Sequence, residues 1–151
     1  MNRATSSNGR LGPAGFHPPT CVLRLHMNDD LLPVLRERYP ELFSSNHLRE
    51  IACLSGWLQL IDELCRTLQI HLDSHPDVPQ VKVLQVKEKF GGLRFYFSGG
   101  DTACRGAVVA AEERSLSICE VCGQTGTLRE GRWLSVRCND HIHWSPSDDI
   151  K

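Results

Sequence analysis

Between residues 54 and 72 the apolar positions recur at steps of three and four. Leu54, Trp57, Leu58, Ile61, Leu64, Cys65, Leu68 and Leu72 form one wide stripe, with Gln59, Asp62, Glu63, Arg66 and Gln69 on the opposite side. That period predicts an amphipathic helix with one buried face. It ends by His75-Pro76, because proline disfavours helical geometry in the residue before it. An earlier helix is predicted to open at the acidic cap Asn28-Asp29-Asp30, run to about Tyr39 and stop at Pro40.

The period then changes to two. Val81 to Glu88 and Leu93 to Ser98 flank Lys89-Phe90-Gly91-Gly92, which reads as a β-hairpin. One face is predicted to carry Leu84, Val86, Leu93, Phe95 and Phe97, the other Lys87, Lys89, Arg94 and Tyr96. Glu88 falls on the apolar face, where a carboxylate needs a partner; a one-residue bulge that turns it outward is the expected resolution. Gly99-Gly100-Asp101-Thr102 closes the strand and caps a third helix, about Ala103 to Ser117, with Ala107, Val108, Ala111 and Ile118 inward.

The last quarter carries Cys119-Glu-Val-Cys122-Gly123 and, after a fifteen-residue gap, Cys138-Asn-Asp-His141. Two close pairs of soft ligands at this separation point to a structural zinc site with Cys119, Cys122, Cys138 and His141 as ligands. Gly123 supplies the backbone freedom such a turn needs. His143 is a weaker substitute for His141. Thr125 to Leu128 and Trp133 to Val136 read as a short hairpin between the ligand pairs, and Cys138 and His141 fit the first turn of a terminal helix. Knuckle, hairpin and helix start together resemble a treble-clef module, which buries too little apolar surface to fold without its metal. Four protein ligands leave no position for water, so the expected zinc is structural.

The fold expected is therefore α+β: about three helices on one face of a small antiparallel sheet, followed by a treble-clef-like zinc module. Residues 1–26, rich in Ser, Asn, Gly and Pro, read as a disordered or weakly ordered extension. Residues 27–118 form the α+β core, and residues 119–151 a zinc module continuous with it.

Composition narrows the function. The 151 residues are 40% hydrophobic and 23% charged, as in a globular protein, and the formal net charge of −1 lacks the basicity of a dedicated nucleic-acid binder. No apolar run reaches the roughly twenty residues of a membrane span, and the first twenty residues lack a secretory signal. Cys21, Cys53, Cys65 and Cys104 have no metal-like spacing and read as reduced thiols of a cytoplasmic protein.

Charge is nevertheless local. From Lys82 to Arg105 there are five Lys or Arg residues against two Asp or Glu. The hairpin glycines join two strands rather than opening a helix, so they are no phosphate loop. The cations and tyrosine of the exposed face suit an acidic protein patch, or phosphates and bases. His71 and His75, four apart with Asp73 between them, lack a third ligand, and His17, His26 and His47 stand alone. No Ser-His-Asp, Cys-His or paired-carboxylate constellation is present.

Arg38-Tyr39-Pro40-Glu41-Leu42-Phe43, Gly56-Trp57, Val86-Lys87-Glu88-Lys89-Phe90-Gly91-Gly92-Leu93-Arg94-Phe95-Tyr96 and Cys119-Glu-Val-Cys122-Gly123 resemble segments of a group of small proteins of bacteria, phages and prophages. The resemblance spans about residues 27–143. It implies the same hairpin, a terminal zinc segment and a cytoplasmic setting in a bacterial or phage-infected cell. That group has no settled activity, so the resemblance implies no catalytic residues.

The expected function is a non-catalytic, zinc-stabilised macromolecule-binding protein. Its contact surface is Lys87, Lys89, Arg94 and Tyr96, continued by Arg129, Arg132 and Arg137. A host or phage protein is favoured as partner over nucleic acid because the net charge is near zero. The competing expectations are a nucleic-acid-binding zinc protein or a metal-dependent nuclease, since Asp140-His141-Ile142 resembles a triplet of His-Asn-His nucleases. Only ten residues follow His141, and they carry neither the Asn nor the His of a nuclease helix beyond His143.

Overall fold

The computed structural model describes residues 29–149. The segment expected to be an extension, with Cys21, His17 and His26, lies outside them. The elements run α1 (Leu32–Arg38), β1 (Ile51–Ala52), α2 (Leu58–Ser74), β2 (Lys82–Lys89), β3 (Gly92–Ser98), α3 (Thr102–Ser115), β4 (Thr127–Arg129) and β5 (Ser135–Arg137). The class is α+β, as the change of period from about 3.6 to 2 predicts. None of the described helices is long and apolar enough to cross a membrane.

One apolar core joins the helices to the first sheet. Ile61, Leu64, Cys65 and Leu68 of α2 pack with Leu35 of α1, with Val83, Val86, Leu93 and Phe95 of the strands, and with Val108 and Ala111 of α3. Trp57 is fully buried in a 3-10 turn, Ser55–Trp57, that leads into α2. Its stripe position is therefore correct, although the α-helix itself begins one residue later. Polar ties fix the helix directions. Tyr39 donates to Asp62 of α2, Arg38 pairs with Asp62 at 2.9 Å, and Arg114 of α3 pairs with Glu63 at 3.0 Å. Burial and the Asp62 carboxylate push the Tyr39 hydroxyl up to about 12.

The first sheet departs from expectation. Its order is β1-β2-β3, with β2 and β3 antiparallel but β1 parallel to β2, so the sheet is mixed rather than antiparallel. A two-residue strand has no period of its own to read. Asp30 places it: its Oδ1 accepts both Leu32 N at the start of α1 and Ile51 N in β1, each at 3.0 Å.

A register shift between Val83 and Gln85 splits the alternation of β2. Val81 and Val83 are buried before it and Val86 after it, while Leu84 lies outside at 43% exposure. Leu84 is therefore not a core residue. Glu88 lies beyond the shift, opposite Leu93, and does not turn outward as expected. Its carboxylate accepts Gly91 N at 2.6 Å and closes the hairpin turn from the apolar face.

β3 is an outer strand, as β1 is at the other edge, and α3 shields it. Leu93 N donates to Ser115 Oγ and Phe95 N to Glu112 Oε1, each at 2.9 Å. Two donors of a sheet edge are thus satisfied by helix side chains, which removes a template for strand addition.

Candidate metal centre

Ile118 to Thr125 fold back on themselves as the tight loop that a Cys-x2-Cys pair requires. Gly123 N donates to Cys119 O at 2.8 Å, and Cys119 N donates to Gln124 O at 2.7 Å. Gly123 takes a φ of +78°, a conformation in which a side chain would be strained. The antiparallel pair β4–β5 follows, with Leu128 opposite Val136. The chain then delivers Cys138 at the start of a 3-10 turn, Asn139–His141. A further 3-10 turn, Pro146–Asp149, is the last described element. No α-helix starts at Cys138: the expected first helical turn is the 3-10 turn that Cys138 caps.

Cys119, Cys122, Cys138 and His141 converge, with one ligand atom from each lying within 4.8 Å of all the others. Cys122 Sγ and Cys138 Sγ are 3.7 Å apart, and His141 Nδ1 is 3.8 Å from Cys119 Sγ and 3.2 Å from Cys138 Sγ. Around a tetrahedral ion with bonds of about 2.3 Å to sulfur and 2.0–2.1 Å to nitrogen, two thiolates stand about 3.8 Å apart and a thiolate and an imidazole about 3.6 Å. The 3.7 and 3.8 Å spacings agree with these values, the 3.2 Å one is shorter, and the set can bind a metal ion. The sulfurs are too far apart for a disulfide. His143 is exposed and outside the cluster, so His141 is the fourth member.

Backbone donors prepare the sulfurs for this role. Burial alone would push the Cys119 thiol up, but the N–H groups of Cys138, Cys122 and Val121 hold it down at about 7. Burial and the neighbouring Cys119 and Cys138 sulfurs raise Cys122 to about 11, so the backbone donors favour the thiolate at Cys119 alone of the two.

The cluster is bound tightly to the core through two residues, Gly56 and Glu120, that stand in visible motifs but carry no contact signal of their own. Gly56 N donates to Glu120 O at 2.8 Å, and a Cβ built on Gly56 would lie 2.3 Å from Glu120 O and 2.5 Å from Cys119 O. Only glycine lets the Ser55–Trp57 turn approach the Cys119–Gly123 loop so closely. Trp57 Nε1 adds a bond to Ile118 O at 2.9 Å. Glu120 is the second residue. Its side chain is 7% exposed, its carboxylate accepts Leu54 N at 3.2 Å and pairs with Arg137 at 3.2 Å, and its N–H donates to Val136 O. Burial pushes this carboxyl above the usual range despite the Leu54 and Arg137 contacts. Gly56-Trp57 was visible as a motif, but only the fold shows that it contacts the cysteine loop.

The expected contact residues divide into two groups. Register sets Lys87 opposite Arg94, Gln85 opposite Tyr96 and Lys89 opposite Gly92, so Lys87, Lys89, Arg94 and Tyr96 share one hairpin face. Lys87 Nζ lies 5.7 Å from the Tyr96 ring centroid. Arg132 is exposed at the β4–β5 turn. Arg137 is not part of an open surface: its guanidinium is consumed by Glu120 and lies 5.6 Å over the Trp144 ring. Arg129 is turned back onto Arg137 O and Asn139 Oδ1.

His71, Asp101 and Cys104 form a second cluster of ligand-type groups. Its bonds are internal. Asp101 caps α3 by accepting Cys104 N at 3.0 Å, and its other oxygen meets His71 Nε2 at 2.9 Å. His75 stacks on His71 rather than joining Asp73, whose carboxylate accepts from Gln69. Cys65 and Cys104 are buried in the core as free thiols, and Cys53 is half-buried; burial pushes all three up.

Comparison with family models, with curated proteins and with solved structures finds no match to this chain.

Proposed function

We propose that this protein is a non-catalytic binding module held together by structural zinc, with a treble-clef-like ending built from the Cys119–Gly123 loop, the β4–β5 hairpin and the Asn139–His141 turn. The donor set supports zinc: three thiolates and one imidazole suit this ion and exclude hard oxygen-seeking cations. Four protein ligands leave no open position for a reacting water. Against the nuclease alternative, His141 Nδ1 stands 3.2 and 3.8 Å from two of the cysteine sulfurs, the place of a ligand rather than of a base.

The single observation that carries a binding role is the grouping of Lys87, Lys89, Arg94 and Tyr96 on one hairpin face, close to the metal segment. Cations beside an aromatic ring, on a face the core does not use, suit an acidic partner surface. A protein partner in a bacterial or phage-infected cell fits best, since the chain as a whole carries −1 and exerts no long-range pull on nucleic acid.

Two measurements test this reading. Metal analysis of the purified chain is expected to find one tightly held zinc, and Cys138→Ser to lose it with partial unfolding. A variant that stays folded with full zinc content refutes the structural site. Crosslinked capture from a bacterial lysate is expected to retain a protein that the Lys87→Ala/Arg94→Ala/Tyr96→Ala variant fails to retain. An identical capture profile from both refutes the binding face.

A further inference from the structure

The β2–β3 turn is built from the wrong residue for its shape. Lys89 pairs with Gly92, which leaves a two-residue turn, and both central residues have positive φ: Phe90 at +54° and Gly91 at +84°. This is the primed turn that matches the twist of a hairpin, and its first position favours Asn, Asp or Gly. A phenylalanine there is strained, and its ring is not repaid by burial, for it is 70% exposed. Hairpin stability does not account for Phe90.

A second exposed aromatic side chain lines the same cleft. A Cβ on Gly91 would lie 2.5 Å from Leu128 Cδ1 and 3.5 Å from the carbonyl carbon of Leu134, so the tip of the first hairpin rests on the second. Where the tips meet, Phe90, Trp133 and Leu134, with Arg132 and Glu88 at the margin, open a cleft of about 480 Å³. Trp133 is 78% exposed, the most open large apolar side chain among the described residues. Lys89 Nζ stands 5.5 Å from the Phe90 ring centroid.

Charge selects the occupant. The β2–β3 hairpin carries four cations against Glu88, and the β4–β5 segment three against Glu130, a local +5 in a chain of −1 overall, so every other residue together sums to −6. One of these cations, Arg137, is neutralised by Glu120. At the cleft itself two cations stand beside the apolar side chains, Arg132 in its lining and Lys89 over the Phe90 ring, while the Glu88 carboxylate is turned onto Gly91 N. An apolar surface bordered by cations is thus on offer, as in a protein-recognition hot spot. Leu134 beside the rings favours a bulky side chain over the flat faces of stacked bases, and Glu88 at the margin opposes a run of phosphates.

We infer that the Phe90/Trp133 cleft is the anchor site for an acidic peptide segment of a partner protein, taking one large apolar or aromatic side chain against Phe90, Trp133 and Leu134 and pairing flanking carboxylates with Lys89 and Arg132. This rests on the binding-module reading and sharpens where the partner is gripped.

The test uses the zinc-loaded full chain and a yeast-displayed library of random peptides, followed by fluorescence anisotropy of the selected sequences. The expected winners carry Asp or Glu around a Trp, Phe or Leu, and their affinity falls as salt rises. Trp133→Ala is expected to weaken them by roughly tenfold or more. Phe90→Asn is expected to weaken them similarly while raising the thermal midpoint, because Asn fits the turn; loss of binding in a more stable protein is not unfolding. If the Lys87→Ala/Tyr96→Ala variant loses the peptides and the tip variants keep them, the sheet-face reading stands and the cleft inference falls. Winners without the acidic and aromatic signature, or no winners, also overturn it. So does a single-stranded oligonucleotide that binds through Trp133 in place of any peptide.

Discussion

Replacing Gly56 by alanine should separate the cysteine loop from the core. The added Cβ would sit 2.3 Å from Glu120 O and 2.5 Å from Cys119 O, and both obstacles are backbone. No side chain can rotate away, so the Ser55–Trp57 turn and the Cys119–Gly123 loop must part by about 1 Å to restore ordinary contact. That opening stretches the Gly56 N to Glu120 O bond from 2.8 Å past hydrogen-bonding range and pulls Trp57 Nε1 from Ile118 O, now at 2.9 Å. Trp57 is fully buried, so its indole N–H finds no water in exchange. Two such losses cost about 1–3 kcal/mol each, and we expect about 3 kcal/mol overall. Urea unfolding of the zinc-loaded protein measures this directly, and competition with a zinc chelator should show earlier metal release. Gly131→Ala is the control, since nothing lies within 4 Å of its added Cβ, and it should be neutral. A Gly56→Ala protein within about 0.5 kcal/mol of wild type, the scatter of a surface substitution, would refute the argument that the close approach is structural.

Three further outcomes follow from individual contacts. Gly106 lies inside α3 with open space around it, so Gly106→Ala should stabilise the protein by about 0.5–1 kcal/mol in the same urea assay. Glu112→Ala combined with Ser115→Ala strips the partners from Phe95 N and Leu93 N; a loss of stability and concentration-dependent association in sedimentation are expected, and a stable monomer would contradict the edge role given to α3. The cap bond from Cys104 N, joined by His71, holds the Asp101 carboxyl below the usual carboxylate range, so its contribution is complete above about pH 4 and is lost as the pH falls through its lowered folded value. The difference in thermal midpoint between wild type and Asp101→Ala should therefore be largest near neutrality and shrink in acid; a difference independent of pH would assign the effect elsewhere.

Local signals carried a large part of this structure. The stripe from Leu54 to Leu72 was readable because a helix buries side chains at its own period, and α2 buries Leu60, Ile61, Leu64, Cys65, Leu68 and Leu72. The Asp101 cap, the glycine-containing hairpin after Glu88 and the cysteine spacing were readable for the same reason: each is satisfied within a few residues of itself. The four-residue connection expected in that hairpin tightens to the turn Phe90-Gly91 because Lys89 pairs with Gly92. The four predicted metal-site residues meet in space because both halves of the set are local turns, brought together by a short hairpin.

Contacts between distant residues were decided by tertiary structure. A parallel strand as short as Ile51–Ala52 exists only because β2 and Asp30 offer it partners. The register shift that expels Leu84 leaves Glu88 on the apolar side, where a turn N–H supplies its bond. Arg137 looked like a surface cation and proved to be the partner of a carboxylate seventeen residues earlier. The shared cleft of Phe90 and Trp133 has no trace in either hairpin alone. A sequence determines which turns and faces a chain can form cheaply, because those energies are local. Which faces meet is decided only when the whole core closes, because burial and charge pairing reward groups that are remote along the chain.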